Sequence, residues 1–588
     1  MKQFLKFVLA SMVGIFLSAI LFAILVIGIA SAIISSASAD KAIEISDNSV
    51  MLIRLNYAIK ERTEKNPFDH ISVPGFVSTK TIGLDEILAR LGAAKKDDRI
   101  KGIVLDMNGI GADFATLQEI RDALLDFKKS KKFIIAYSEA YSQQAYYLAS
   151  TADKVYLNPE GSLDFRGFAA QLLFFKGTLE KLGIEAQVIK VGTYKSAVEP
   201  FVLDKMSDAN REQVTSYMTS IYNTFLKQIS STRNIPVDSL KAIADQYRAR
   251  DAQGALKSKL IDALKYKDEL LAELRSSLHL EKDDKIKSVS IEDYKRPIQK
   301  ANIARDRIAI VYAVGEIVSG EGSDDQIGSE KISRTIRKVR EDKRVKAVVF
   351  RVNSPGGSAL ASDVIWREVE LTKKVKPIIV SMGDVAASGG YYISCAADSI
   401  FAQPNTITGS IGVFGIIPNM QHFFNDKLGI TFDEVKTAQY ADLMTTSRPL
   451  TVNEKSLIQQ EINRIYQTFT KKVADGRKIT QAKVDSIGQG RVWTGEQALQ
   501  NGLIDRLGSL NDAIKSAAAK AKLKEYRLIG YPTVKDPFES LMSSSSDDIQ
   551  SWVAKQQWGE HYMLYKQAKA VVQQSGIQAR LPYLITIQ

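Results

Sequence analysis

The chain has 588 residues, 45% hydrophobic and 25% charged, which excludes a disordered or fibrous protein and, at about 150 residues per domain, predicts several domains. The formal net charge is +12, but the basic residues are scattered in short groups such as Lys128-Lys129 and Lys131-Lys132 with no recognition module around them, so no nucleic acid partner is expected. A single cysteine, Cys395, excludes intrachain disulfides, and His70, His279, His422 and His561 have no paired ligand spacing, so neither a metal nor another cofactor is expected.

Lys2 and Lys6 precede an uncharged apolar run from Phe7 to Ile34. A helix needs about 20 apolar residues to cross a bilayer core. The run therefore predicts one transmembrane anchor over residues 1–40, and its basic flank stays cytoplasmic under the positive-inside rule. A signal peptide cut after Ala37-Ser38-Ala39 is the competing reading. Both readings put the bulk of the chain on the extracytoplasmic side of the inner membrane, in the periplasm where an outer membrane exists.

The rest of the chain is written twice. Arg99–Asp106 resembles Arg344–Arg351 at an offset of 245 residues, and the same offset relates Tyr146-Tyr147 to Tyr391-Tyr392 and Asp153 to Asp398. Further on, Ile221–Phe225 matches Ile465–Phe469, and Leu260-Ile261-Asp262 matches Leu503-Ile504-Asp505. So steady a register marks a tandem duplication. In each copy, short apolar runs (Ile103–Leu105 and Phe133–Ala136; Ala347–Phe350 and Pro377–Ser381) alternate with amphipathic stretches (Thr116–Phe127; Ala361–Leu371). That alternation predicts an α/β fold with parallel sheets covered on both faces. A helical arm follows each core, over Ser207–Ser230 and Thr451–Ala474. The first repeat is assigned to 41–300 and the second to 301–540, with the boundary in the charged stretch from Asp283 to Asp306 that holds Pro297. A tail of unknown role, 541–588, begins past Pro537 with the serine-rich linker Ser543–Ser546 and Asp547-Asp548.

Residues present in one copy and missing from the other locate the chemistry. Ser388, followed by Gly389 and Gly390, aligns with Gln143, which cannot act as a nucleophile. Taken alone, a serine before Gly-Gly is ordinarily a helix N-cap. Asn353-Ser-Pro-Gly356-Gly357-Ser358 ends a neighbouring strand, and its glycines, with Gly389, are placed to offer backbone N–H groups to an oxyanion. Conversely, Lys195 aligns with Ala441 when Tyr194 is matched to Tyr440. A lysine acts as a base only when neutral, which burial among residues such as Val191, Val198 and Phe201 favours. Ser410 is the candidate for orienting the amine, against the plain alternative of a turn serine. The two copies thus predict one composite site, with an amine from the first and a hydroxyl from the second.

These motifs resemble the bacterial signal peptide peptidase SppA family, in its long, two-repeat form also called protease IV. The resemblance rests on Gly192–Pro200, Gly383–Tyr392, Asn353–Gly357 and Thr408–Gly412, covers nearly the whole chain and shows no departure at Lys195 or Ser388. It implies tandem ClpP/crotonase-like domains and a serine peptidase with Ser388 as nucleophile and Lys195 as general base. It further implies a homotetramer that digests remnant signal peptides at the membrane. Nothing in the tail resembles the family. Two other classes remain open at this stage: a crotonase-like acyl-CoA enzyme, since the strand-end glycines suit thioesters too, and a membrane scaffold without activity.

Overall fold

The computed structural model describes residues 2–38, 45–63, 81–295, 304–533 and 576–581. Ala39, His70, Pro297, His561 and the stretch from Pro537 through Asp548 lie outside the described residues. Residues 2–38 form one helix, Lys2–Ser38, whose side chains are described only in part. No helix made entirely of described residues is long and apolar enough to cross a membrane.

The apolar runs of the first copy build a parallel sheet in the order Ala263–Leu264, Lys154–Leu163, Phe133–Tyr141, Ile100–Asp106, Ser49–Ile53, Ser288–Ser290. The second copy repeats that order with Arg506–Leu507, Ser399–Ala402, Ile378–Ala387, Val345–Ser354, Arg307–Val314 and Arg527–Tyr531, again parallel. Helices cover both faces, which is why the central strands carry unbroken apolar stretches; Ala347 through Phe350 are fully buried. Ile407–Gly409 extends the far end of Ile378–Ala387 and carries Val492–Thr494 antiparallel at its edge.

The duplication holds down to single bonds. Phe114–Lys128 and Ala359–Lys373 are helices of 15 residues each, and the arms Asp208–Arg233 and Val452–Arg477 have 26 each. Ser207 and Thr451 cap those arms by accepting from the N–H three residues on. The Tyr146 hydroxyl donates to the Leu260 carbonyl, and the Tyr391 hydroxyl to the Leu503 carbonyl, both at 2.7 Å. Arg233 pairs with Asp262 as Arg477 pairs with Asp505.

A third sheet crosses the seam between the copies. Its order is Gln326–Gly328, Glu316–Val318, Gly356–Ser358, Gly576–Arg580, Val413–Asn419, Glu185–Val191. The last two strands come from different copies and pair antiparallel along their full length, from Val191 opposite Val413 to Glu185 opposite Asn419. Buried charge on the second copy's parallel sheet also reinforces the seam. Arg351 of the second copy binds the Glu61 carboxylate at 2.8 and 3.1 Å and Glu119 at 2.8 Å, both from the first copy. Asp384 accepts from the N–H and hydroxyl of Thr116 at 2.8 and 2.6 Å. Such a cluster is costly to open, because separation of the copies would strand buried charges without partners.

Candidate active site

Ser388 lies between the strand Ile378–Ala387 and the short helix Gly389–Ser394. Its φ of +55° is uncommon for a residue with a Cβ. The turn is held by its N–H, which donates to the Gly409 carbonyl at 2.8 Å. Packing requires the glycines that follow: a Cβ on Gly389 would lie 2.7 Å from Ser362 Oγ, and one on Gly390 2.7 Å from the Ser354 carbonyl.

Lys195 arrives from the first copy. Its loop follows Glu185–Val191, so the antiparallel pairing across the seam carries the lysine into the second copy. The Tyr194 N–H donates to the Gln489 carbonyl at 2.9 Å. Gln213, on the long arm of the first copy, donates to the Tyr194 carbonyl and Ser196 Oγ while accepting from the Val492 N–H, which ties loop, arm and second copy together. Beneath the loop, the Glu199 carboxylate accepts from Ser207 and Asn210.

Lys195 Nζ lies 2.9 Å from Ser388 Oγ, 3.1 Å from Ser410 Oγ and 3.2 Å from the Ser410 carbonyl oxygen. All three residues are fully buried. Burial holds the Lys195 amine well below the usual lysine range. A neutral amine has two N–H bonds and one lone pair, and three partners are present. With both N–H bonds on Ser410, a neutral amine would face the Ser388 hydroxyl with its lone pair. The apolar wall is made by Ala197, Val198 and Phe414, with Phe201 beside them, and the Phe414 ring centre is 5.8 Å from Nζ. Val191, expected in this wall, packs into the core of the second copy instead. Gly490 completes the enclosure, since a Cβ there would lie 2.6 Å from Lys195 Cβ.

Gly356 and Gly357 open the strand Gly356–Ser358 with φ of +101° and +155°. A Cβ on Gly356 would meet the Gly389 nitrogen at 2.8 Å and the Ala579 carbonyl oxygen at 2.2 Å, and one on Gly389 would meet that same oxygen at 3.0 Å. The backbones of Gly356 and Gly389 thus both pass close to the Ala579 carbonyl oxygen. Gly357 pairs with Ala579 on one side and Ile317 on the other. All six residues singled out in the sequence (Lys195, Gly356, Gly357, Ser388, Gly389 and Ser410) therefore gather at one place.

The aligned positions in the opposite copies do other work. Gln143 is buried, and its amide satisfies the backbone of Arg166 and Gly167, while Ala441 is exposed. Cys395 is sealed in the core, where burial pushes its thiol up to about 12, so it supplies no thiolate at neutral pH. Sequence reasoning missed Gln213, Phe414 and Gly490. For Gln213 a signal existed: its counterpart at an offset of 244 is Leu457, which is exposed, so the same comparison of copies that finds Lys195 would have found it.

The model of peptidase family S49 matches this chain twice, over residues 126–281 and 370–524. The chain is 40% identical over 477 residues to "Protease 4" of Salmonella typhi, covering 79% of this chain and 76% of that one. It is 39% identical over 456 residues to "Protease 4" of Haemophilus influenzae, covering 74% and 73%. "Serine protease SPPA, chloroplastic" of Arabidopsis thaliana is 33% identical over 509 residues, covering 85% and 74%. Among solved structures, a mutant ClpP1 from Listeria monocytogenes matches 35% of this chain and 94% of its own at 16% identity, with a TM-score of 0.25. With one family matched in both copies and two relatives near 40% identity over most of their length, the chain belongs to peptidase family S49 and is a two-repeat serine peptidase.

Proposed function

We propose that this peptidase is a membrane-anchored endopeptidase that cuts remnant signal peptides and other apolar extended peptides, with Ser388 as nucleophile and Lys195 as general base. The observation that carries this reading is the buried 2.9 Å contact between Lys195 Nζ and Ser388 Oγ. As the hydroxyl attacks a peptide carbonyl, the neutral amine takes its proton and later delivers it to the leaving amine. The developing oxyanion is assigned to the backbone N–H groups of Gly356, Gly357 and Gly389, of which the Gly356 N–H donates to Ser354 Oγ at 3.2 Å in the structure. A water activated by Lys195 then hydrolyses the acyl-enzyme. Ser410 orients the amine throughout.

Support for anchoring comes from the apolar run Phe7–Ile34 and from the helix Lys2–Ser38, along which Phe7, Met12, Phe16, Leu21 and Leu25 are all exposed. Lys2 and Lys6 at its start support a location at the outer face of the inner membrane. For the substrate class, a synthetic signal peptide with an apolar core is expected to be fragmented in detergent solution. Casein cleavage without any cleavage of that peptide would reject signal peptides as substrates.

The homotetramer finds support in the duplication itself. Within the chain, 413–419 pairs with 185–191 across the seam; the counterparts at an offset of 245 are 168–174 and 430–436, and neither carries a strand here. Their apolar side chains Leu173, Ile430, Phe432 and Val435 are exposed. The same pairing made head to tail between copies of the chain would repeat the internal seam and close a ring. Phe432→Asp with Val435→Asp is expected to shift the particle to monomers in light scattering. An unchanged mass would remove this interface.

A further inference from the structure

One buried side chain touches the carriers of both reacting groups. Gln213, on the arm Asp208–Arg233, is 1% exposed. Its amide nitrogen lies 3.0 Å from the Tyr194 carbonyl oxygen and 2.8 Å from Ser196 Oγ, the neighbours on either side of Lys195, and 3.2 Å from Asn210 Oδ1. Its amide oxygen accepts from the Val492 N–H at 3.2 Å. Val492 stands opposite Gly409 where Ile407–Gly409 pairs with Val492–Thr494. The Gly409 carbonyl in turn receives the Ser388 N–H at 2.8 Å, and the Ser410 N–H donates to the Arg491 carbonyl at 2.7 Å. A single amide therefore links the lysine loop, through the edge strand, to the serine turn. Turned over, it would set its oxygen against the Tyr194 carbonyl and its NH2 against the Val492 N–H, so one orientation alone satisfies both sides. The second copy has exposed Leu457 at the aligned position, where the aligned loop carries Ala441 in place of lysine.

We infer that Gln213 is a positioning residue for the peptidase reaction, holding the Lys195 loop at the depth that keeps the amine enclosed and within reach of Ser388. This rests on the Ser388–Lys195 reading above. Lys195 lies between the end of the strand Glu185–Val191 and the short turn of helix Ser196–Val198, outside both ladders. The rim around Gln213 is a weaker hold. The Arg491 guanidinium lies 4.6 Å from the ring centres of both Tyr194 and Trp493 and pairs with Glu212 at 2.9 Å, but Glu212 is half-exposed, and such pairs contribute little. Other charged groups at the loop face elsewhere: Lys190 Nζ lies 3.4 Å from the Lys195 carbonyl oxygen, and Glu199 accepts from Ser207 and Asn210. Loosening the loop would cost the reaction twice. A displacement of about 1 Å between reacting groups lowers a rate by about 100-fold. Water reaching the amine would also restore the charge that burial suppresses.

Gln213→Leu in the full-length chain, assayed on labelled casein, tests this. At neutral pH kcat is expected to fall about 100-fold with KM within about twofold of the unaltered protein. The rate is expected still to rise with pH but to reach its plateau at higher pH, so that the loss narrows in alkaline buffer. A role confined to holding the fold would lower kcat by the same factor at every pH, and that result overturns the inference. If Gln213→Leu does not fold, Gln213→Met, close to glutamine in shape and equally without the amide, carries the same test with the same expected shift. An unchanged kcat and pH curve in either folded variant, with Ser388→Ala inactive, overturns the role of Gln213 alone. Turnover by Ser388→Ala overturns the Ser388–Lys195 reading beneath it.

Discussion

Ser388→Ala is expected to lower casein turnover by roughly 10⁴–10⁶-fold, to what binding and oxyanion contacts alone provide. The chain's single cysteine does not take over: Cys395 is sealed in the core with its thiol pushed up to about 12. The fold should survive the change. The turn at Ser388 is built from backbone, namely its own N–H on the Gly409 carbonyl and the close packing of Gly389 and Gly390. Its hydroxyl contributes one contact, to Lys195 Nζ. Circular dichroism and gel filtration should therefore match the unaltered protein. A variant with turnover within about tenfold of normal would move the nucleophile elsewhere.

Lys195→Met is expected to abolish turnover to a similar extent and, unlike the serine change, to stabilise the protein at neutral pH. Burial lowers the Lys195 amine well below the ordinary 10.5. Between that lowered value and the ordinary one, the unfolded chain binds a proton that the folded chain refuses, so stability rises with pH across this window and falls as pH drops through it. Methionine fills similar space without a proton to lose. Its melting temperature should exceed that of the unaltered protein at neutral pH, with a shallower rise towards alkaline pH. The rate of the unaltered enzyme should climb with pH as the amine deprotonates, then level off. Identical melting temperatures and pH slopes for the two proteins would mean that the amine is charged when folded.

Much of the architecture could be read in advance because the chain states it twice. The arms Asp208–Arg233 and Val452–Arg477 and the central strands were marked by apolar periodicity, and each copy checked the other. The site was legible for a related reason: Lys195 and Ser388 are unremarkable singly and become informative only against Ala441 and Gln143. The third sheet was not legible. Glu185–Val191 and Val413–Asn419 have nothing local to announce an antiparallel partner more than 200 residues away, since strand pairing depends on tertiary neighbours rather than on the segment itself. Gly576–Arg580 was hidden more deeply. Its five residues hold two turn-prone or charged types and a glutamine, and their strand character comes wholly from the two edges they fill.

The amine and hydroxyl that meet at this seam are 193 residues apart along the chain. At about 5–20 residues per second, a ribosome finishes the lysine loop roughly 10–40 s before it reaches the serine turn. Until then the nascent polypeptide holds only half of the proposed pair. On the proposed pairing, dividing the two groups between the copies thus delays activity until the second copy has been made.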